Sequence, residues 1–361
     1  MNHDILFMQR ALELARKAQG FTYPNPMVGA VIVKNKKIIA EGFHHQAGSF
    51  HAEFIALKQA QNRAQGATLY LNLEPCNHFG KTPPCVDKII TAGIKRVVVA
   101  TIDPNPLMRG KSLKKLKQAG IKITLGVGAQ EARKLNEVFF KNMHKQLPFV
   151  AAKCAQSLDG KIATHTGESK WITSLAARNY SRHLRDRYDS VLVGINTVVN
   201  DDPQLNGINK TPFKIVIDPH LKIALTSKLI KHYNKKLIIV ASQKKSVRKT
   251  KLPLALNVIF VKEKNNRLDL RDMLVKLYSL GVCSVFVEGG SNTLGGFFDA
   301  GLVDKMYFFI APKIIGGKQA LTSIGGTGAV SPYKSFYLQD RELEFVGEDL
   351  LISGYPLKLR P

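Results

Sequence analysis

Three residues of the zinc-binding types stand in order in the first quarter of the chain: His51, Cys76 and Cys85. A histidine nitrogen and two cysteine thiolates supply three ligands of a tetrahedral Zn²⁺ and leave the fourth position open for water. A metal held that way acidifies the water towards a nucleophile at neutral pH. Glu53 lies two residues after His51, close enough to carry protons to and from the reacting groups. A purely structural zinc site would more often use four protein ligands. Cys154 and Cys283 are the only other cysteines, and both sit in strand-like apolar runs that favour packing.

The order His51-Ala52-Glu53, Pro75-Cys76, Cys85 is the signature of zinc deaminases that act on nucleobase-like rings. The nine-position cysteine spacing departs from the more usual Cys-x-x-Cys. The elements around these residues must bring them together. Asp4 caps an amphipathic helix with Ile5, Met8, Leu12 and Ala15 on one face and Gly20 as its stop. Tyr23-Pro24-Asn25-Pro26 is a rigid turn. Val28 to Lys34 and Ile38 to Glu41 form a hairpin, and a helix from His51 to about Ala64 presents His51 and Glu53 to one cavity. Strands over Ala67–Leu73, Lys95–Thr101 and Ile121–Leu125 alternate with helices over Ser112–Ala119 and Ala129–His144. Such alternation predicts a layered α/β domain.

Leu147-Pro148 marks a domain boundary, so domains over 1–147 and 148–361 are expected. The second half predicts strands over Phe149–Ala155, Val191–Ile195, Lys214–Asp218 and Ser284–Val287, with a helix capped by Ser174. Asp201-Asp202-Pro203 reads as a loop, and Gln243 to Lys251 as a basic polar loop. After the last of these strands, Glu288-Gly289-Gly290-Ser291 leads into a helix. That passage is either a plain turn or a place where backbone N–H groups meet a phosphate. Trp171, the single tryptophan, reads as a core anchor in preference to a stacking surface for a flat ligand.

Hydrophobic residues make up 45% of the chain, enough for full-sized cores. No apolar stretch is long enough to span a bilayer, and the N-terminus lacks the pattern of a signal peptide. Four cysteines in 361 residues do not make a disulfide framework, which fits a reducing cytoplasm. The net charge of +26 raises the possibility of nucleic-acid binding. However, the lysines are scattered and no aromatics are interleaved with them, so a solvated basic surface is the expectation.

Together the motifs resemble the bacterial bifunctional riboflavin-biosynthesis deaminase–reductase family over nearly the whole chain. They include Pro24-Asn25-Pro26-x-Val28-Gly29, His51-Ala52-Glu53, Leu73-Glu74-Pro75-Cys76-Asn77-His78, Gly80-Lys81-Thr82-Pro83-Pro84-Cys85 and Asp103-Pro104-Asn105-Pro106. The second half adds Ser157-Leu158-Asp159-Gly160-Lys161, Gly167-Glu168-Ser169-Lys170-Trp171-Ile172-Thr173, Asp201-Asp202-Pro203 and Val287-Glu288-Gly289-Gly290. This family has the nine-position cysteine spacing. The resemblance implies an α/β protein of two domains, an N-terminal cytidine-deaminase-like three-layer α/β/α fold and a C-terminal dihydrofolate-reductase-like one. It implies deamination of a diaminopyrimidinone ribosylamino 5′-phosphate, followed by NADPH-dependent reduction of the ribosyl chain. The enzyme is then expected in the cytoplasm as a homo-oligomer with a small-molecule substrate and no nucleic-acid or membrane partner.

By resemblance, His51, Cys76 and Cys85 hold zinc and Glu53 carries protons. Asn25, His44 and Lys81 contact the deaminase substrate. In the reductase half, Ala155, Trp171, Thr197, Asp201 and the run Gly290, Ser291, Asn292, Thr293, Leu294, Gly295 and Gly296 match cofactor positions. Ser169, Arg185, Leu205 and Glu288 match substrate positions, and Lys153 is a candidate catalytic residue. Three departures stand out. Ser49-Phe50 replaces the family's Glu-Pro before His51, and Ser112 replaces a common glycine. Ile208 occupies the place of a substrate-holding arginine, which weakens the expected phosphate grip unless Lys210 substitutes for it. The rival readings are a nucleic-acid deaminase and a deaminase with a non-catalytic second domain.

Overall fold

The computed structural model describes residues 3–77, 84–106, 108–244 and 256–358. The chain divides into two compact units, Met1–Gln146 and Leu147–Pro361.

The first unit is built on a five-stranded sheet. Its strands are β1 (Gly29–Lys34), β2 (Lys37–Phe43), β3 (Thr68–Leu71), β4 (Arg96–Val99) and β5 (Lys122–Leu125), in the order β2-β1-β3-β4-β5. β1 runs antiparallel to β2 and β3, whereas β3, β4 and β5 are parallel. Alternation of side chains along the strands gives the sheet two apolar faces. Ala30, Ile32, Leu69, Leu71, Val97 and Val99 pack against α2 (Ala52–Ala60), α3 (Cys85–Thr91) and α4 (Lys111–Gln118). Val31, Val33, Tyr70 and Val98 pack against α1 (His3–Arg16) and α5 (Ala129–Leu135). The result is three layers, α/β/α.

Two local readings change here. The helix from His51 ends at Ala60 and gives way to a short 3₁₀ turn, with Gln61 at φ 51°. The helix expected over Ala129–His144 breaks at Asn136, leaving α5 and α6 (Glu137–Lys145). The break frees the Asn136 side chain, which receives the N–H of Met27 at 2.8 Å and donates to its carbonyl at 2.9 Å.

The second unit is a nine-stranded sheet of β6 (Phe149–Ser157), β7 (Ser190–Gly194), β8 (Phe213–Ile217), β9 (Leu237–Ser242), β10 (Asn257–Val261), β13 (Ser284–Val287), β14 (Lys305–Ala311), β15 (Phe336–Val346) and β16 (Asp349–Lys358). A small hairpin, β11 (Glu263–Lys264) with β12 (Arg267–Leu268), stands apart. The order is β10-β9-β8-β7-β13-β6-β14-β16-β15. Along this order the strands from β10 to β14 are all parallel, and only β16 is reversed, pairing antiparallel with both β14 and β15. Parallel strands need crossover helices, supplied in part by α7 (Leu175–Asp186), α9 (Lys228–Tyr233), α10 (Leu270–Ser279) and α11 (Ser291–Asp299). Ser174 caps α7 by accepting from the N–H of Ala177 at 3.2 Å. Two helices were not anticipated: α9, and α8 (Ile195–Asp201), which follows β7 directly and carries Thr197 and Asp201. The basic loop expected at Gln243–Lys251 lies mostly outside the described residues.

Candidate active sites

His51 is the N-cap of α2, and Glu53 sits in that helix's first turn. Cys76 follows β3, and Cys85 is the first residue of α3. The His51 Nδ1 atom lies 3.4 Å from the Cys76 Sγ and 3.3 Å from the Cys85 Sγ, and the three donor atoms all lie within 4.8 Å of one another. A tetrahedral zinc with bonds of about 2.3 Å to sulfur and about 2.0 Å to nitrogen needs N···S separations near 3.5 Å. The donor set therefore fits Zn²⁺ without rearrangement. The N–H of Cys85 also points at the Cys76 Sγ at 3.3 Å, stabilising negative charge there. Hydrogen bonds from Cys85 and His51 hold the Cys76 thiol well below its usual range despite burial, which favours a thiolate there.

Glu53 is only 3% exposed. Burial, with the nearby Cys76 charge, raises its carboxyl to about 7, so it can both take and give a proton near neutral pH. His44 presents a ring edge-on to His51 at 5.5 Å. Its Nε2 lies 3.1 Å from the Asn25 Nδ2, and its Nδ1 lies 3.1 Å from the Phe50 carbonyl. Burial depresses the His44 pKa, favouring a neutral ring. The expected pair Asn25 and His44 is thus assembled beside the metal donors. Lys81 lies outside the described residues.

The groups that hold these side chains in place lie outside the motifs. Buried Asn72 accepts the N–H of Gly29 at 2.8 Å and donates to the Met27 carbonyl at 2.9 Å. Asn72 and Asn136 therefore grip Met27 from two sides and fix the turn that carries Asn25. The only sequence signal was one polar residue inside the apolar run Leu69-Tyr70-Leu71-Asn72-Leu73.

In the second unit, a different group gathers at the carboxyl ends of the parallel strands, where open α/β sheets bind ligands. Arg185 forks onto Glu288, its Nε 2.5 Å from Oε1 and its Nη2 3.0 Å from Oε2. The Lys153 Nζ lies 4.0 Å from the Glu288 Oε2. Burial works against the charge on Glu288, but Arg185 outweighs it and holds the carboxyl below its usual range. The Arg185 Nη1 donates to the Asn206 carbonyl at 2.9 Å, which ties in the loop that carries Leu205, a buried residue at φ 54°.

The same loop settles the question at Ile208. Asp186 accepts the backbone N–H groups of Ile208, Asn209 and Lys210 at 3.0 to 3.3 Å. A Cβ on Gly207 would come 1.9 Å from the Asp186 Oδ1, so only glycine fits that turn. The Ile208 side chain is exposed. Lys210, the candidate stand-in for that arginine, donates from its Nζ to the Tyr188 carbonyl at 3.1 Å.

Ala155 lies near the end of β6. Gly290 caps α11, and the run after it divides. Ser291 to Thr293 open the helix, whereas Leu294 is in the core and Gly295 packs backbone to backbone against Gly325, where a Cβ would meet carbon at 2.2 Å. A Cβ on Gly194 would lie 2.9 Å from the Thr293 Oγ1, so the starts of α8 and α11 approach closely. This pair of helix starts, with Gly290 open in front of it, suits a phosphorylated dinucleotide such as NADPH. Trp171 corrects the core reading. It is 66% exposed, stands at φ 63°, and stacks on the Arg178 guanidinium at 4.1 Å. Its carbonyl accepts from the Lys313 Nζ at 2.9 Å. Ser169 is exposed on the loop before it.

A zinc-ligand cluster with a buried glutamate on a three-layer α/β/α unit, joined in one chain to a mostly parallel reductase-type sheet, defines a bifunctional deaminase–reductase. Residues 1–101 match the cytidine and deoxycytidylate deaminase zinc-binding region, and residues 148–352 match the RibD C-terminal domain. The riboflavin biosynthesis protein RibD of Aquifex aeolicus is 46% identical over 353 residues, 97% of both chains. That of Escherichia coli K12 is 36% identical, covering 97% of this chain and 98% of the other. Among solved structures, RibD of Acinetobacter baumannii superposes with a TM-score of 0.87 at 35% identity, over 99% of both chains. A diaminohydroxyphosphoribosylaminopyrimidine deaminase/5-amino-6-(5-phosphoribosylamino)uracil reductase of Thermotoga maritima does so with a TM-score of 0.86 at 38% identity, over 98% of this chain and 99% of the other. The chain belongs to the RibD family of riboflavin biosynthesis. It is a hydrolase and an oxidoreductase acting on a small molecule, and its cofactors are Zn²⁺ and NADPH. No helix among the described residues is long and apolar enough to cross a membrane.

Proposed function

We propose that the first unit deaminates 2,5-diamino-6-ribosylamino-4(3H)-pyrimidinone 5′-phosphate. The second then uses NADPH to reduce the ribosyl chain, giving 5-amino-6-ribitylaminouracil 5′-phosphate. The observation that carries this reading is the convergence of His51, Cys76 and Cys85 beside the buried Glu53. Bound zinc supplies the Lewis acidity that makes a water nucleophilic near neutral pH. Glu53 takes one proton of the attacking water on its carboxylate and gives it to the ring nitrogen, then takes the second from the added hydroxyl and gives it to the amine as the C–N bond breaks and ammonia leaves. Asn25 and His44, beside the metal donors, orient the ring, with Lys81 as a further substrate contact.

In the second unit, Glu288 orients Arg185 and Lys153, which provide the positive charge that a phosphorylated sugar needs. Leu205 and Ser169 complete the substrate side. Ala155, Trp171, Thr197, Asp201 and the residues Gly290 to Thr293 hold the cofactor, with Leu294 and Gly295 seating the start of their helix in the core, and hydride transfer depends on that positioning. Two features support a cytoplasmic homo-oligomer: the four free thiols, and the exposed Leu343 and Phe345 on β15, the edge strand of the sheet.

The test follows ammonia release and NADPH oxidation separately, on purified zinc-loaded protein given the diaminopyrimidinone ribosyl phosphate. Ammonia followed by NADPH loss is expected. Ammonia alone, with cofactor binding verified, would refute the reductase assignment. Absence of both signals would refute the substrate assignment. Light scattering of the same preparation tests the oligomer.

A further inference from the structure

Glu74 is a buried carboxylate, 4% exposed, and the reaction just described does not use it. It stands between the end of β3 and the zinc ligand Cys76. Its Oε2 accepts the N–H of Asp103 at 3.1 Å and of Gly110 at 2.9 Å, and its Oε1 accepts the N–H of Ser112 at 3.1 Å. Its own N–H donates to the Thr101 carbonyl at 3.0 Å. One side chain thus gathers both ends of the loop 103–112. Because β3 and β4 are parallel neighbours, with Leu71 opposite Val99, this loop leaves the same carboxyl end of the strands as the Cys76 turn. The loop also carries Arg109 and Lys111, both exposed, cations suited to a phosphate-bearing substrate.

The stretch Asn72–Cys76 therefore does three jobs at alternate positions. Asn72 fixes the turn that carries Asn25, Glu74 fixes the loop 103–112, and Cys76 offers a metal ligand. We propose that Glu74 is a positioning residue of the deaminase site, holding the loop 103–112 as a wall beside the zinc donors so that substrate is received in one geometry. The proposal rests on the deaminase reading above. A carboxylate is required because all three partners are donors. A glutamine in the same place turns an NH₂ towards at least one N–H, whichever way its amide lies.

The experiment compares wild type, Glu74→Gln and Glu74→Asp as full-length, zinc-loaded chains. Amide hydrogen exchange is read at Asp103, Gly110 and Ser112, together with zinc content and the kcat and KM of ammonia release. For Glu74→Gln we expect exchange at those amides to quicken about tenfold or more, the loss of a hydrogen bond to a charged group. Zinc should stay at one per chain, and KM should rise about tenfold while kcat changes little. Glu74→Asp should recover part of both effects. Unchanged exchange would overturn the proposal whatever the activity. So would loss of zinc from Glu74→Gln, since Glu74 would then serve the metal ligand turn, and so would a fall in kcat at constant KM. If wild type releases no ammonia, the substrate reading fails while the exchange measurement still decides the role of Glu74.

Discussion

Lys214 lies in β8 between Phe213 and Ile215, with no exposed surface. Its Nζ donates to the Pro212 carbonyl at 2.9 Å and sits 4.1 Å from the centre of the Tyr233 ring. Burial, aided by repulsion from Lys236 and Arg185, lowers its pKa from 10.5 to about 7. A shift of that size corresponds to about 4 kcal/mol of penalty at pH 7. Lys214→Met has nearly the same length and removes the charge, but it gives up the hydrogen bond and the ring contact, together worth about 2 kcal/mol. The net expectation is a gain of about 2 kcal/mol, or about 4–8 °C in the melting midpoint of a unit this size.

The sign of the pH dependence follows from the lowered pKa. Below pH 7 the lysine is charged in both folded and unfolded states, and the folded state bears the whole penalty. As the pH rises from 7 to 10.5 the unfolded lysine also becomes neutral, and the penalty disappears. The advantage of Lys214→Met should therefore be greatest at pH 7 and below, should vanish at about pH 9, where the remaining penalty equals the lost contacts, and should turn into a deficit towards 10.5. Thermal unfolding of the full-length chain, followed by circular dichroism and by the fluorescence of Trp171, the single tryptophan, measures it. An equal or lower midpoint for the variant at pH 7, or a gain that does not vary with pH, would refute the reasoning.

Glu53→Gln should keep the shape of the zinc site and lose its proton carrier, lowering ammonia release about 10²- to 10⁴-fold with zinc content unchanged. Chelation of the protein should abolish ammonia release, whereas NADPH oxidation should persist when the deaminated substrate is supplied, because the zinc donors all lie in the first unit. Glu288→Gln strands Arg185 without its counter-charge. It should destabilise the second unit by about 3–5 kcal/mol and slow NADPH oxidation while ammonia release continues, as calorimetry and the two separate assays would record.

The local chemistry was written in the sequence. Zinc admits few ligand types, so His51, Cys76, Cys85 and the adjacent Glu53 could be read directly. Hydrophobic periodicity likewise placed most strands of both units, because a strand buried in a parallel sheet must be apolar almost throughout. What could not be read were the polar groups that act through distant backbone. Asn72, Glu74 and Asn136 do their work on Met27, Gly29, Asp103, Gly110 and Ser112, and no local pattern marks such partners. The run from Ala129 to His144 reads as one helix by its periodicity, whereas the break at Asn136 goes with hydrogen bonds to the distant Met27. Lys210 illustrates the same limit. By type and position it was a stand-in for a missing arginine, but packing turned its ammonium onto the Tyr188 carbonyl. Trp171 was a core anchor by size, and only the folded chain set it in the open, stacked on Arg178. Residue type alone determines which chemistry is available. Which side chains meet, and which are turned away, depends on contacts between residues far apart in the chain, and those exist only after folding.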